Sequence, residues 1–140
     1  MREILFRGKR IDNGEWVVGI PWIFAPPVNK AVIVYAMGLV GEDDDTSRYC
    51  ECHEVDPSTI GQYTGLTDKN GKKIFEGDIV REDDVVRNGK IQIEGQAGRV
   101  SFVKCCYIIE FGESWDFLAT NAKSVKVIGN IHDNPELLGG

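Results

Sequence analysis

The chain has 140 residues, 42% of them hydrophobic and 27% charged, with a formal net charge of −6 and a pI near 4.9. This composition is typical of a globular protein, and it predicts one domain over residues 1–140 with an ordinary core. The negative charge disfavours non-specific nucleic-acid binding, because neutralising phosphates requires an excess of Lys and Arg. The sequence still allows a small local basic patch at Arg7, Lys9 and Arg10.

The N-terminal segment carries charges at Arg2, Glu3 and Arg7, where a secretory signal would need an uninterrupted apolar run. The longest apolar stretches are strand-length and fall short of the ~20 residues that cross a bilayer. We therefore expect a cytoplasmic protein with no membrane partner. In that reducing compartment, free thiols are the expected state of Cys50, Cys52, Cys105 and Cys106.

The first half of the chain predicts strands separated by turn signals. Residues 5–11 and 15–20 predict a hairpin around Asp12-Asn13-Gly14. Because Pro21, Pro26 and Pro27 cannot donate to a ladder, residues 22–24 form at best an edge strand or a short extended bridge. Residues 31–37 predict a strand whose solid apolar run suggests burial on both faces or an interface.

A loop and a further strand follow. The charge run Glu42-Asp43-Asp44-Asp45 lies within residues 38–47, for which we expect a mobile loop. Residues 48–55 predict a strand, which Asp56-Pro57 ends.

The middle of the chain, residues 62–80, predicts a second hairpin with its turn at residues 68–71. Asn70-Gly71 suits a tight turn because both residues tolerate positive φ. Glu76-Gly77-Asp78 predicts a further bend into a strand at residues 79–81, with Asp78 accepting backbone amides.

The last third predicts more strands. Glu82-Asp83-Asp84 forms a second acidic patch, and Asn88-Gly89 predicts a turn into residues 91–94. Residues 99–111 are long enough for two strands or one bent strand, and 115–119 and 124–131 predict the final strands. Asn134 and Pro135 predict a short helical turn over 134–138, with Leu137 and Leu138 facing inward. The fold class is mainly β, as a small barrel or two packed antiparallel sheets.

Three stretches together resemble the YopX family of proteins encoded by phages and prophages of Gram-positive bacteria. The first is residues 2–10 with Asn13-Gly14-Glu15-Trp16. The second is Val55-Asp56-Pro57 with Ile60-Gly61-Gln62-Tyr63-Thr64-Gly65-Leu66-Thr67-Asp68-Lys69-Asn70-Gly71 and residues 74–80. The third is Val127-Ile128-Gly129-Asn130-Ile131-His132-Asp133-Asn134-Pro135-Glu136-Leu137-Leu138.

The resemblance implies a small, mainly β protein of phage type, for which no catalytic residue, cofactor or ligand is established. Residues 21–52 and 82–97 match no motif of the family. We expect these two segments to be the variable parts, in which a particular partner would be selected.

Two candidate metal sets fit their ions poorly. Zinc prefers thiolate and imidazole ligands, which Cys50, Cys52, His53, Cys105 and Cys106 could supply, but adjacent Cys105 and Cys106 should point to opposite faces of a strand. The spacing of Asp43, Asp45, Ser47 and Glu54 matches the first, third, fifth and twelfth ligand positions of a calcium-binding loop. Arg48 stands where such a loop needs glycine, so we expect neither metal.

Catalytic groups are sparse in the sequence. It contains two histidines, His53 and His132, and neither a nucleophile elbow nor a phosphate-binding glycine loop, since Gly95-Gln96-Ala97-Gly98 fits no nucleotide pattern. An enzyme would require a pocket that gathers several members of one acid–base set. That set is Glu54, Asp56, Glu76, Asp78, His53 and His132.

The leading functional hypothesis is therefore a non-enzymatic accessory protein that binds a protein partner and needs no cofactor. Its surface would lie at the edge near Trp22 or on the acidic loops, and Trp16, Trp22 and Trp115 are expected as core or interface anchors, with Trp22 the most exposed. The alternative is a nucleic-acid-associated regulatory β-barrel. Self-association through exposed strand edges or residues 31–35 stays open.

Overall fold

The computed structural model describes residues 3–40 and 47–139. The predicted loop at Glu42-Asp43-Asp44-Asp45 lies outside these residues. Backbone contacts divide the chain into two compact units, Met1–Gln62 and Tyr63–Gly140. That the chain forms one domain stays a prediction.

The first unit is an antiparallel sheet in the order β4-β3-β2-β1, joined at β1 by the start of β5. Its strands are β1 (Phe6–Lys9), β2 (Trp16–Ile23), β3 (Ala31–Val40), β4 (Ser47–Val55) and β5 (Gly61–Thr67), of which β5 continues into the second unit. A 3₁₀ turn, Pro57–Thr59, separates β4 from β5, and Asp56 caps it by accepting a hydrogen bond from the Ser58 amide.

The predicted hairpin around residues 12–14 is confirmed as β1–β2, with Gly8 opposite Val17. Strand β2 runs further than expected, through Pro21 to Ile23. It pairs with β1 up to Gly19 and with β3 from Ile20 onward. Pro21 therefore has a hydrogen-bonded neighbour on one side only, which confirms the predicted edge and explains why proline is tolerated there.

The core of the first unit consists of Ala31, Ile33 and Val55, packed against Phe6, Val17 and Ile60. Burial alternates along β3, since Ala31 and Ile33 are buried whereas Val32 and Val34 are half-buried. The suggested burial of β3 on both faces is therefore wrong, because core side chains cover one face of the strand and the other face stays partly accessible.

The second unit contains a five-stranded antiparallel sheet in the order β12-β11-β10-β7-β13 and a separate two-stranded ribbon, β8–β9. Its elements are β6 (Lys73–Phe75), β7 (Asp78–Glu82), β8 (Val85–Arg87), β9 (Lys90–Ile93), β10 (Ala97–Val103), β11 (Cys106–Phe111), β12 (Ser114–Phe117), α1 (Leu118–Asn121), a 3₁₀ turn (Ala122–Ser124), β13 (Val125–Asn130) and a 3₁₀ turn (Pro135–Leu138). The expected hairpin of residues 62–80 is confirmed as β5–β6, followed by β7.

The core of the second unit is larger and includes a helical contribution that the sequence did not predict. Its buried members are Ile74, Val80, Val100, Ile109, Leu118, Ala122 and Val125. The strand predicted over residues 115–119 ends at Phe117, and Leu118 begins α1. A helix of four residues has no readable period, which is why the apolar pattern extends the predicted strand over Leu118.

The C-terminal helical turn is confirmed as the 3₁₀ turn Pro135–Leu138, but its expected contacts differ. Asn134 caps no following amide, and its Oδ1 instead accepts a hydrogen bond from the Asn130 amide at 3.4 Å. Leu137 and Leu138 are 37% and 39% exposed, so the expectation that they face inward is wrong.

The mainly β fold with antiparallel sheets is confirmed. The strand orders of the described residues are open at both ends, so these strands close no barrel, and antiparallel sheets are the predicted form that fits. Among residues 3–40 and 47–139, no helix has the length and apolar character needed to span a membrane.

Candidate interaction surface

Strand β2 carries a row of exposed apolar side chains. Side chains two residues apart on a strand share a face. Val18, Ile20 and Trp22 occupy alternate positions of β2, and Phe24 follows directly after the strand, with exposures of 43%, 53%, 64% and 42%. The Trp22 and Phe24 rings are stacked with centroids 6.4 Å apart, so both lie on one side. We call these four residues the N-terminal apolar face.

Strand β3 extends this surface. Val34 lies directly opposite Ile20 and Val32 opposite Trp22, and both valines are half-buried. Cross-strand partners share a face of the sheet. Glu54 lies opposite Val32 on β4 and forms an exposed ion pair with Lys30 at 3.8 Å. The apolar surface therefore has a charged border on the side of β4.

The basic residues of β1 have local partners. Arg7 lies opposite Val18 and stacks over the ring of the half-buried Trp16 at 4.8 Å. Arg10 forms an ion pair with Asp12 at 2.6 Å. The hydrogen bond from Arg10 lowers the pKa of the Asp12 carboxyl. Arg7 and Arg10 of the predicted basic patch therefore make contacts within the chain.

Asp68 is the polar centre of the hairpin in the second unit. Its side chain is 2% exposed, and its Oδ1 accepts hydrogen bonds from the amides of Asn70 at 2.8 Å and Lys72 at 2.9 Å. Its Oδ2 accepts a hydrogen bond from the Val127 amide at 2.9 Å. Burial raises the pKa of this carboxyl, but the three amides more than offset burial and leave the pKa lowered.

Sequence reasoning identified the turn at Asp68 but missed its contact with Val127. An Asp two residues before Asn-Gly is a recognisable signal for local amide capture. The bond to Val127 joins residues 59 apart in sequence, so no local pattern could reveal it. Asp68 thus ties the hairpin to β13.

Asp78 has the role that the sequence predicted. Its side chain is 2% exposed, and its Oδ2 accepts a hydrogen bond from the Phe75 amide at 2.8 Å, across the bend at Gly77. Gly77 adopts φ 90°, which favours glycine. Turn capping by Asp78 is therefore confirmed.

Comparison with known families identifies what the chain is related to. The family model described as "YopX protein" matches residues 29–139, which is most of the chain. The chain belongs to the YopX family. Two of the three stretches that carried the resemblance lie within the matched residues, and the first, residues 2–16, precedes them.

A solved structure shows the same fold as this YopX protein. The crystal structure of protein EF1440 from Enterococcus faecalis aligns with a TM-score of 0.67 at 24% sequence identity, covering 99% of both chains. No functionally curated protein matches this chain significantly.

The two segments that carry no motif recognised in the sequence expose many apolar side chains. Within residues 21–52, Trp22, Ile23, Phe24, Val28 and Tyr35 are exposed, and within residues 82–97, Val85, Val86, Ile91 and Ile93 are exposed. The motif segment 62–80 instead contributes buried residues, including Tyr63, Ile74, Phe75, Ile79 and Val80. The central motif segment and these exposed apolar residues therefore occupy different parts of the chain.

The candidate zinc ligands belong to both units. Cys52 and His53 lie on β4, where His53 stacks on Tyr35 at 5.0 Å. Cys105 lies in the β10–β11 turn with φ 67°, not on a strand as expected, and the Cys106 thiol donates to the Val103 carbonyl at 3.2 Å. No group of three or more possible metal ligands occurs among the described residues. Asp43 and Asp45 of the calcium pattern lie outside them.

Several members of the acid–base set have structural contacts. Glu54 pairs with Lys30, Asp56 caps the 3₁₀ turn, and Asp78 holds the Phe75 amide. The His132 amide donates to Asn130 Oδ1 at 3.0 Å, and Glu76 is half-buried. A shallow depression of about 360 Å³ is lined by Trp16, Val17, Val18, Tyr35 and His53, so it includes one member of the set.

Trp115 was expected as a core or interface anchor. It is 57% exposed and packs edge-on against Phe117 at 5.3 Å, so it is not a core anchor. Trp22 is exposed as predicted.

Proposed function

We propose that this YopX protein is a phage or prophage accessory protein that acts without catalysis, by binding another protein through the N-terminal apolar face. The observation that carries the proposal is the row of four apolar side chains at alternate positions along β2 and just after its end, each at least 42% exposed. Large exposed apolar patches on soluble proteins commonly mark interaction sites. The partner is expected to present an apolar surface.

The residue types of this face suit an interface. Trp and Tyr are enriched among the residues that dominate binding energy, because they contribute a large contact area with few rotatable bonds. Trp22 is central in the row, between Ile20 and Phe24, and Val32 lies opposite it. We therefore expect Trp22 to contribute most of the affinity, with the ion pair of Lys30 and Glu54 at the rim.

Affinity capture with matched variants tests the proposal. The wild-type protein is used as bait in lysates of its host cells before and after prophage induction, and a captured protein is then purified and its Kd measured directly. Trp22→Ala should weaken binding by about 30-fold or more, since truncating a dominant interface residue costs at least ~2 kcal/mol. Trp115→Ala is the matched control, because Trp115 is similarly exposed in the other unit.

Two results would contradict the proposal. One is equal weakening by Trp22→Ala and Trp115→Ala, which would remove the N-terminal apolar face as the binding surface. The other is capture of nucleic acid in place of protein, with titration at low salt showing binding that depends on Arg7 and Lys9. That outcome would favour the nucleic-acid alternative.

A further inference from the structure

The two-stranded ribbon of the second unit is the extended tip of the β7–β10 hairpin. Strands β8 and β9 pair antiparallel, with Arg87 opposite Lys90 next to the turn. Asn88 and Gly89 form that turn with φ 53° and 73°, as the sequence predicted. We call residues 85–93 the arm.

The base of the arm is held in place by hydrogen bonds. Asp84 Oδ1 accepts from the Gly95 amide at 2.8 Å and from Arg81 Nη2 at 2.9 Å, and the Glu82 amide donates to the Gln96 carbonyl at 2.9 Å. A Cβ at Gly95 would lie 1.9 Å from the Glu82 carbonyl oxygen, so the two chain segments cross closely there. The arm therefore has a defined direction relative to its own sheet.

The arm exposes aliphatic side chains on both of its faces. Val85, Val86, Ile91 and Ile93 are 42%, 56%, 60% and 64% exposed. Adjacent Val85 and Val86 point to opposite faces, and their cross-strand partners are Ile93 and Ile91. An isolated two-stranded hairpin is only marginally stable in water. Exposed aliphatic residues on it contribute little to folding and are available for docking.

Charge is separated along the length of the arm. Arg87 and Lys90 flank the turn at its tip, and Glu82 and Glu94 flank its base. The aliphatic residues lie between the two charged ends. A second arm laid antiparallel would place each basic tip against an acidic base and the aliphatic residues against one another.

We propose that the arm is a self-association site, at which two copies of this chain pack their arms antiparallel about a two-fold axis. Such an interface is self-complementary, because tip contacts base and base contacts tip. A bulge at Gln92, between Ile91 and Ile93, disfavours hydrogen-bonded addition at the β9 edge. The copies therefore meet through side chains on one face of each arm. This inference is independent of the N-terminal apolar face.

Other occupants fit this surface less well. A nucleic acid would be attracted by the tip but repelled by Glu82 and Glu94 and by the net charge of −6. A second copy supplies both signs of charge at the required positions.

A charge exchange between two variants tests the proposal. Sedimentation equilibrium is measured over about 1 μM to about 1 mM protein, the range that suits a small interface. The wild type should dimerise, and its Kd should rise with salt because the charges are exposed. Arg87→Glu/Lys90→Glu and Glu82→Lys/Glu94→Lys should each weaken self-association by more than about tenfold, through like-charge contacts.

Mixing the two variants should restore the dimer, because each tip then meets a base of opposite charge. Lys104→Glu is the control, as it changes an exposed turn charge outside the arm, and it should leave the Kd within about twofold of wild type. Circular dichroism should show the same fold for all variants.

The proposal is overturned if the wild type is monomeric throughout, or if the charge-reversed variants dimerise as the wild type does. It is also overturned if the mixture stays monomeric, since the tip-to-base arrangement requires restoration. Binding of a DNA duplex by a monomer, abolished by Arg87→Glu/Lys90→Glu, would assign the arm to nucleic acid instead.

Discussion

The hairpin β5–β6 and the arm β8–β9 are built on the same local signal and have different surroundings. Each turns at Asn-Gly, at residues 70–71 and 88–89. Yet Ile74 in the first is fully buried, whereas Ile91 in the second is 60% exposed. Turn chemistry determines where a strand reverses, and long-range contacts such as that of Asp68 with Val127 determine whether the hairpin becomes core.

The largest expected difference in stability comes from the same isoleucine-to-alanine change made in each hairpin. Ile74→Ala should lower the free energy of unfolding by about 2–5 kcal/mol, because it leaves a cavity in a packed core. Ile91→Ala should change it by less than about 0.5 kcal/mol at low protein concentration. Urea denaturation measures both. Similar losses in the two variants would show that the arm is part of the cooperative core.

Asp68→Ala should lower the free energy of unfolding nearly as much as Ile74→Ala does. It leaves three backbone amides without their acceptor, and we expect a loss of about 2–4 kcal/mol. The control is Asp12→Ala, since Asp12 is exposed and its carboxylate pairs with Arg10 at the surface. An unchanged midpoint of denaturation for Asp68→Ala would mean that this carboxylate does not tie the hairpin to β13.

Lowering the pH should remove the contribution of Asp68 to the free energy of unfolding. Its folded-state pKa is lowered below the unfolded value of about 3.9, so the stabilisation is present above about pH 4 and is lost as pH falls through the folded pKa. The stability difference between wild type and Asp68→Asn should therefore be largest near neutral pH and shrink below about pH 4. A difference that is constant with pH would contradict a charged Asp68 in the folded state.

The smallest expected effect distinguishes the two turns. Gly71 and Gly89 have φ of 80° and 73°, and a Cβ added at either position would meet no other atom within 4 Å. Each glycine-to-alanine change adds about 1 kcal/mol of backbone strain. Gly71→Ala should lower global stability by that amount, whereas Gly89→Ala should speed amide exchange within the arm alone. Global destabilisation by Gly89→Ala would show that the arm unfolds with the sheet.

Much of the β architecture follows from local signals. Alternation and Asn-Gly turns predict β1–β2, β5–β6 and the turn into β9, and the proline at 21 indicates an edge. The helix at Leu118, the exposure of Leu137 and the turn position of Cys105 depend on packing and on backbone geometry, which local patterns do not encode. For the candidate surface, exposure of Trp22 was predictable from its proline context. The extension of the apolar row onto β3 could not be predicted, because it depends on the register between β2 and β3.

The proposed binding role of the N-terminal apolar face is tested most directly by site-specific photo-cross-linking. A photoreactive phenylalanine analogue replaces Trp22 in one variant and Trp115 in another, and each variant is irradiated in the cells that express it. The account predicts a discrete adduct with another protein from position 22, lost when Ile20→Ser is added, and no such adduct from position 115. The same adducts from both positions, or none from position 22, would contradict it.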